Sequence, residues 1–107
     1  MERRTALVTG ASSGIGVEFA KQLAAQDHDV CLVARRADRL QELKQQIEST
    51  TEAKVYAMPT DLASPEEVRG LAASLRQQKI HIDCLINNAG FGSQAYLQEL
   101  PAEEWER

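Results

Sequence analysis

Short apolar runs alternate along the chain with longer segments in which apolar residues recur every three or four positions. The apolar runs predict four buried strands, at residues 5–9, 30–34, 55–58 and 82–86. The helical spacing between them predicts three helices, at about 13–26, 38–48 and from 64 onward. In the first helix the spaced apolar residues are Ile15, Phe19, Ala20, Leu23 and Ala24. Residues 101–105 have the composition of the first turn of a fourth helix.

Polar residue types mark the ends of these elements. Ser64 and Pro65 predict the start of the third helix, and Glu67 would complete a capping box there. The sequence Asp-His-Asp at 27–29 predicts a tight turn in which Asp27 or His28 takes a left-handed conformation. A histidine in such a turn is expected to be a solvated side chain rather than a catalytic one.

Strands that are apolar on both faces, each followed by a helix, predict an α/β fold with a parallel sheet covered on both sides. Right-handed crossovers leave few topologies for such a sheet. The three-layer, doubly wound (Rossmann) arrangement places the strands in the order 3-2-1-4. Ligands bind there at the carboxyl ends of the strands where the winding reverses, which is the gap between strands 1 and 4. The prediction is a single domain over residues 1–107.

A glycine-rich loop follows the first strand and leads into the first helix. Its glycines are Gly10, Gly14 and Gly16, and Ser12 and Ser13 supply hydroxyl donors between them. The first N–H groups of a helix have no partner inside it, so a phosphate can accept their hydrogen bonds when no side chain blocks its approach. The spacing G-x-x-x-G-x-G differs from both G-x-G-x-x-G and the Walker A loop. The alternative is a glycine-rich turn without a ligand.

Two segments carry a family resemblance. The stretch from Thr9-Gly10 through Gly14-Ile15-Gly16 matches T-G-x-x-x-G-I-G, and Asn87-Asn88-Ala89-Gly90 matches N-N-A-G. The chain therefore resembles the short-chain dehydrogenase/reductase family, over nearly its whole length but over only the first half of the family's fold. The resemblance implies hydride transfer between a nicotinamide and a carbonyl or alcohol. It also implies that the glycine loop, with Ile15, and backbone groups around Asn87, Ala89 and Gly90 face the cofactor, while one asparagine side chain braces the sheet.

The residues after the second strand bear on the choice between NAD and NADP. NAD-binding domains carry a carboxylate here that binds the adenosine ribose hydroxyls, but this chain has Ala34 followed by Arg35 and Arg36. A carboxylate would repel a 2′-phosphate, whereas arginine forms charge-assisted bonds to it. The expected cofactor is NADP, and Arg35 and Arg36 would carry most of the discrimination, because Ser13 stands where family members often have a basic residue. The alternative is a solvated pair of arginines at a helix start, where positive charge opposes the helix dipole.

A third candidate segment, Thr60-Asp61-Leu62, follows the third strand. The resemblance implies that Asp61 accepts a hydrogen bond from the adenine amino group and that Leu62 lies near the ring. The alternative is a turn aspartate that binds nearby backbone amides. The other segments favour a contact with the cofactor.

The catalytic pair that the resemblance implies, a tyrosine with a lysine four residues later, does not occur in this sequence. Tyr56 is followed at that spacing by Thr60, and Tyr96 by Leu100. No catalytic residue is therefore assigned, and the 107 residues are expected to be the cofactor-binding half of a longer oxidoreductase, inactive alone. Without a fifth strand, strand 4 would expose an apolar edge. The alternative is a non-catalytic NADP-binding or interaction module that ends naturally at this point.

Composition and charge narrow the class of protein. The sequence is 43% apolar and 26% charged, as in soluble globular domains, and its net charge of −4 argues against a nucleic-acid or anionic-membrane partner. No apolar run approaches the roughly 20 residues that span a bilayer. The first residues run directly into strand 1, which leaves no room for a signal peptide. The expected partner of the intact protein, which could be a homo-oligomer, is a small carbonyl or alcohol substrate.

The two cysteines are expected to be free. Cys31 and Cys84 fall in strands 2 and 4, on either side of strand 1. Two strand spacings place them about 10 Å apart, beyond the roughly 7 Å that a disulfide allows. We therefore expect two buried thiols in a reducing cytoplasm. No group of histidines and cysteines has the spacing of metal ligands.

Overall fold

The structure, a computed structural model, describes residues 3–12 and 14–88. Four strands and three helices alternate along this part of the chain. The strands are β1 (Arg4–Thr9), β2 (His28–Ala34), β3 (Val55–Pro59) and β4 (Cys84–Asn87). The helices are α1 (Gly14–Ala25), α2 (Ala37–Thr50) and α3 (Pro65–Gln77). All strand pairs are parallel, and the order β3-β2-β1-β4 confirms the predicted topology.

Alternate residues of the strands form two separate cores, one on each face of the sheet. On one face Val8, Val30 and Leu32 pack with the buried residues of α1 and α2. On the other face Leu7 and Val33 pack with α3. These strand residues are fully buried, as in a parallel sheet covered by helices on both sides. The predicted three layers are therefore present.

β2 begins at His28, earlier than predicted, because its first residues are held by long-range contacts. Asp27 takes the left-handed conformation predicted for the turn, with φ of 68°. Asp29 was expected in the turn but lies in the strand, where its carboxylate accepts hydrogen bonds from Arg3 Nε (2.8 Å) and the Lys54 backbone N–H (2.9 Å). These contacts tie the amino ends of β1, β2 and β3 together.

β4 begins at Cys84, later than the predicted start at residue 82. Ile82 is fully buried although it precedes the strand. Asp83 lies between them and replaces a ladder bond: its carboxylate accepts from the Thr5 N–H (2.9 Å), and its own N–H donates to the Thr5 carbonyl (2.8 Å). Cys84 was predicted to be buried and is only half-buried, because β4 is the outer strand of the described sheet.

Small residues form the face of α1 that meets the sheet. Gly16, Ala20 and Ala24 are its buried residues, whereas Ile15 and Phe19 are 66% and 41% exposed. The apolar spacing predicted the helix correctly, but two of its largest apolar side chains lie outside the core. A close approach explains this, because a Cβ at Gly16 would lie 2.1 Å from the Gly10 carbonyl oxygen.

The start of α3 differs in one contact from the predicted capping box. Ser64 Oγ accepts a hydrogen bond from the Glu67 N–H (3.3 Å), as predicted. The Glu67 carboxylate does not return to Ser64 but accepts from the Asp61 N–H (2.7 Å). Because the Ser64 N–H already binds the Asp61 carbonyl (2.9 Å), Glu67 instead fixes the turn that leads into the helix.

The outer edge of β3 has few free hydrogen-bond donors. The Val55 N–H, which faces away from β2, donates to the Glu48 carboxylate (3.1 Å). Pro59 has no N–H. Alternation along the strand leaves the Ala57 N–H as the remaining outward donor of β3. A side chain of α2 and a proline thus protect this edge against pairing.

Candidate functional site

Three hydrogen-bonded links hold the carboxyl ends of the four strands together. The Ala11 N–H of the glycine loop donates to the Val33 carbonyl near the end of β2 (3.3 Å). The Thr60 N–H after β3 donates to the Ala34 carbonyl (2.8 Å). Thr9 Oγ1 donates to Asn87 Oδ1 between β1 and β4 (3.0 Å). The segments singled out after each strand therefore lie along one edge of the sheet, as predicted from the strand order.

The three loop glycines meet different structural requirements. Gly10 and Gly14 have φ of 64° and 55°, a backbone conformation that other residues rarely adopt. A Cβ at Gly10 would also lie 3.0 Å from the Asn88 carbonyl oxygen, whereas one at Gly14 would meet nothing within 4 Å. Gly16 has an ordinary conformation, but a Cβ there would overlap the Gly10 carbonyl. Two glycines shape the turn, and the third lets α1 pack against it.

Thr9 is a site residue that sequence reasoning quoted in the motif but did not select. It is fully buried, and its hydroxyl both donates to Asn87 Oδ1 and accepts from the Asn88 N–H (2.9 Å). The Asn87 side chain is thus the one that braces the sheet, and the Thr9 hydroxyl fixes the direction in which the chain leaves β4. The sequence signal that could have identified Thr9 is a hydroxyl residue at the end of an otherwise apolar strand, directly before the first glycine.

The two arginines after β2 have different surroundings. Arg36 forms a two-pronged ion pair with Asp38: Nε donates to Oδ1 (3.1 Å) and Nη2 to Oδ2 (2.9 Å). This hydrogen bonding raises the pKa of Arg36 and lowers the pKa of Asp38 from their ordinary values. Arg35 is exposed and makes no side-chain hydrogen bond or ion pair with the described residues. Sequence reasoning treated the two arginines as equivalent and missed Asp38.

Asp61 has one carboxylate oxygen in the turn and one without a described partner. Oδ1 accepts from the Ala63 N–H (3.0 Å), which is the turn contact considered as the alternative to cofactor binding. Among residues 3–12 and 14–88, no hydrogen bond to Oδ2 is present. The Leu62 side chain is 6% exposed and belongs to the core beneath α3. Only the backbone of Leu62 is therefore available to contact a ligand at this edge of the sheet.

The remaining predicted site residues divide into described and undescribed ones. Ser12 is half-buried in the loop, and Ile15 is exposed on the first turn of α1. Ser13, Ala89 and Gly90 lie outside the described residues, as do Tyr96 and the predicted fourth helix.

A groove at the outer edge of β3 is separate from the glycine loop. It has a volume of about 520 Å³ and lies between Lys44 and the α3 residues Gly70 and Ser74. Within residues 3–12 and 14–88, no cluster of histidine, cysteine or acidic side chains could hold a metal ion. None of α1, α2 and α3 combines the length and apolar character that a bilayer crossing requires.

Both cysteines are free thiols, as predicted. Cys31 is fully buried in the middle of the sheet. Its burial, and secondarily the charge of Asp29, raise the pKa of the thiol to about 12. The thiolate is the reactive form of cysteine, so Cys31 is an unreactive packing residue at neutral pH.

Comparison with known proteins gives a consistent result. The family model for short chain dehydrogenases matches residues 4–107. An uncharacterized oxidoreductase of Staphylococcus saprophyticus is 36% identical over 102 residues, which is 95% of this chain and 40% of that protein. The chain thus spans less than half the length of this relative.

Solved structures resemble the chain to a similar extent. L-sorbose reductase of Gluconobacter frateurii, complexed with NADPH and L-sorbose, has a TM-score of 0.79 and 36% identity over 84% of this chain and 34% of its own. A short-chain dehydrogenase of Sphingobium yanoikuyae in complex with NADPH has a TM-score of 0.74 and 40% identity over 82% of this chain and 34% of its own. The similarity covers about one third of the length of each of these two proteins, and both were solved with NADPH bound.

Proposed function

Because the chain belongs to the short-chain dehydrogenase family, we propose that it is the NADP-binding half of an oxidoreductase acting on a small carbonyl or alcohol. The observation that carries the proposal is the hydrogen bond from Ala11 to Val33. It holds the glycine loop beside the end of β2, where two guanidinium groups follow. A 2′-phosphorylated dinucleotide carries a diphosphate, which helix N-terminal amides bind, and a 2′-phosphate, which arginine binds.

The glycine loop fits the diphosphate. The loop keeps Gly10 and Gly14 in conformations that suit glycine, and the first N–H groups of α1 have no partner inside the helix. The positive end of the α1 dipole favours an anion at this position. The hydroxyls of Ser12 and Ser13 would add donors beside the amides.

The residues after β2 and β3 fit the adenosine end. Arg35 and Arg36 would bind the 2′-phosphate, and Ala34 leaves room for it where a carboxylate would repel it. Asp61 Oδ2 would accept a hydrogen bond from the adenine amino group, beside the Leu62 backbone. Backbone groups around Asn87, Ala89 and Gly90 would face the ribose on the nicotinamide side, with Thr9 and the Asn87 side chain holding that turn in place.

NADP, when bound, supplies or accepts the hydride. The part played by this chain is to bind and orient the nucleotide at the carboxyl ends of β1 and β4. The sequence has no tyrosine followed at four residues by lysine, so proton transfer to the substrate is assigned to the remainder of a longer protein. We therefore propose that residues 1–107 are one cofactor-binding unit that is inactive alone.

The setting of the intact protein is also proposed. Two free thiols, one of them only half-buried, suit the reducing cytoplasm. The family's substrates are small molecules, and assembly of the intact protein as a homo-oligomer is compatible with this role.

The test is a titration of the intact protein with NADPH and NADH, followed by nucleotide fluorescence. In the variant Arg35→Glu/Arg36→Glu we expect NADPH affinity to fall by about 100-fold, because at least two charge-assisted hydrogen bonds become repulsive contacts. NADH affinity should change by less than about 5-fold, since NADH has no 2′-phosphate.

A matched control carries the same charge change at the opposite end of the sheet. Arg4→Glu/Lys54→Glu alters two exposed residues at the amino ends of β1 and β3 and should leave both affinities unchanged. If Arg35→Glu/Arg36→Glu leaves the ratio of the two affinities as it was, the cofactor assignment is wrong. Binding of NADPH by an intact protein that reduces no carbonyl in a broad panel would support the non-catalytic module instead.

A further inference from the structure

The two arginines of the proposed 2′-phosphate site do not offer the same hydrogen-bonding edge. The Asp38 carboxylate occupies Nε and Nη2 of Arg36, at 3.1 and 2.9 Å. These two nitrogens form one of the two accessible edges of guanidinium that bind an oxyanion through two parallel hydrogen bonds, the other being Nη1–Nη2. While Asp38 holds this edge, two of the five N–H donors of Arg36 are occupied, and a second anion can reach only the Nη1–Nη2 edge. The guanidinium of Arg35 has no such partner among the described residues.

Asp38 also changes the charge that a phosphate would meet. It lies in the first turn of α2, two residues after Arg36. With Asp38 ionised, the net charge of the three side chains is +1, from two guanidinium groups and one carboxylate. A phosphate monoester carries close to two negative charges at neutral pH. It would therefore meet attraction from Arg35 and competition from Asp38 at Arg36.

The ion pair is exposed enough to be displaced. The side chains of Arg36 and Asp38 are 60% and 67% exposed, so solvent screens their attraction. Arg36 is also the N-cap of α2 and makes no side-chain cap bond there. The charge of Glu42 also attracts the Arg36 guanidinium, but among the described residues only Asp38 accepts hydrogen bonds from it. A phosphate must break this pair before it can use the Nε–Nη2 edge.

We propose that Asp38 is a specificity-determining residue that weakens the preference for the 2′-phosphorylated cofactor by competing for Arg36. Arg35 is then the principal ligand of the 2′-phosphate, and Arg36 offers its Nε–Nη2 edge only when Asp38 releases it. The inference rests on the proposed function, because it concerns how strongly the same site distinguishes NADP from NAD.

The direct test is Asp38→Asn in the intact protein, with NADPH and NADH titrated separately. The N-cap is Arg36, so no cap is lost, and asparagine keeps the shape of aspartate and one acceptor oxygen in the first turn of α2. The lost negative charge weakens the helix only slightly, because Asp38 is exposed. NADPH affinity should rise by about 3- to 10-fold, the range set by an exposed ion pair and a freed charge-assisted bond. NADH affinity should change by less than about 2-fold. Glu52→Gln removes the same charge at an exposed position at the other end of α2 and should change neither affinity.

A second comparison tests whether Asp38 acts through Arg36. In the background Arg36→Ala, the substitution Asp38→Asn should no longer raise NADPH affinity by more than about 2-fold. Arg35→Ala alone should reduce NADPH affinity more than Arg36→Ala alone. Unfolding curves of each variant would exclude a loss of folded protein as the cause.

The outcomes separate this inference from the proposed function. If Asp38→Asn leaves NADPH affinity unchanged or lowers it, Asp38 does not compete for Arg36, and the inference is wrong even where NADPH still binds more tightly than NADH. If the gain persists in the Arg36→Ala background, Asp38 acts by general repulsion, and competition is again refuted. If the unaltered protein binds neither nucleotide, the proposed function fails, and the inference fails with it.

Discussion

The two ends of the sheet use the same kinds of contact for different purposes. At the amino end, the carboxylates of Asp29 and Asp83 accept backbone hydrogen bonds from neighbouring segments, and Asp29 also pairs with Arg3. At the carboxyl end, the neutral Thr9 and Asn87 make the corresponding link. Of the two arginines there, Arg35 has no partner among the described residues, and Arg36 pairs with the exposed Asp38. The charges at the amino end are used by the fold, whereas at the carboxyl end Arg35 has no ion-pair partner among the described residues.

This difference has a physical reason. A charge that is already paired gains little from a second partner, so a ligand site needs donors that the fold itself does not use. Links between neutral groups hold the strand ends in place without consuming those donors. Variants at the two ends should accordingly separate stability from nucleotide binding.

The largest effect is expected at Gly16. Gly16→Ala places a methyl group 2.1 Å from the Gly10 carbonyl oxygen, which forces α1 away from the loop. We expect a loss of more than about 3 kcal/mol of unfolding free energy, or no folded protein, by urea denaturation of the intact protein.

Gly14→Ala is the matched control within the same loop. A methyl group at Gly14 meets open space and is penalised only by its φ of +55°. The expected loss is about 1 kcal/mol. Equal losses at the two positions would show that the close approach of α1 to the loop has been misjudged.

A smaller effect is expected when one link is removed at each end. Thr9→Val removes the hydroxyl that binds Asn87 and Asn88, and Asp29→Ala removes the acceptor of Arg3 and Lys54. Each change should lower the free energy of unfolding by about 2 kcal/mol. Only Thr9→Val should also weaken NADPH binding, because only Thr9 supports the proposed site. The same loss of NADPH affinity in both variants would remove the functional distinction between the ends.

The smallest effect at neutral pH concerns Cys31, midway between the two ends. Burial raises the pKa of its thiol to about 12, whereas a free thiol titrates near 8.5. The folded state therefore keeps a proton that the unfolded state loses at alkaline pH. This contribution to stability is complete below about pH 8.5 and is lost progressively as the pH rises toward 12.

The measurement is unfolding free energy against pH for the unaltered protein and for Cys31→Ala. Between pH 9 and 11, the unaltered protein should lose up to about 1.4 kcal/mol per pH unit more than the variant. Parallel curves would mean that Cys31 is accessible to solvent in the folded protein. Because Asp29 also raises this pKa, Asp29→Ala should lower the pKa of the folded thiol, so the extra loss should still begin near pH 8.5 but end at a lower pH.

The strand order, and the meeting of the candidate segments at one edge of the sheet, could be predicted from sequence because they depend on local patterns. Apolar runs, helical spacing and a glycine loop determine which segments follow which strands. The starts of β2 and β4 were predicted less well because Asp29 and Asp83 are polar residues whose partners lie far away in the chain. Propensity alone assigns such residues to turns.

The details of the site depend on three-dimensional contacts that no spacing encodes. The ion pair between Arg36 and Asp38 requires the extended backbone of Arg36, with φ of −85° and ψ of 99°. The inward direction of Leu62 follows from the packing of α3. The exposure of Ile15 and Phe19 follows from the contact between Gly16 and the Gly10 carbonyl, because only small residues fit on that face.

Because the outer edge of β3 is protected against pairing, further strands can be added to the sheet more readily at one edge than at the other. With Glu48 holding the Val55 amide and Pro59 lacking one, recruitment of a further strand beside β3 is disfavoured. Additional strands, whether from the same polypeptide or from another, have a usable template beside β4 alone in the described sheet. Protection of the β3 edge therefore directs any later strand to β4 and disfavours its pairing at the wrong edge of the sheet.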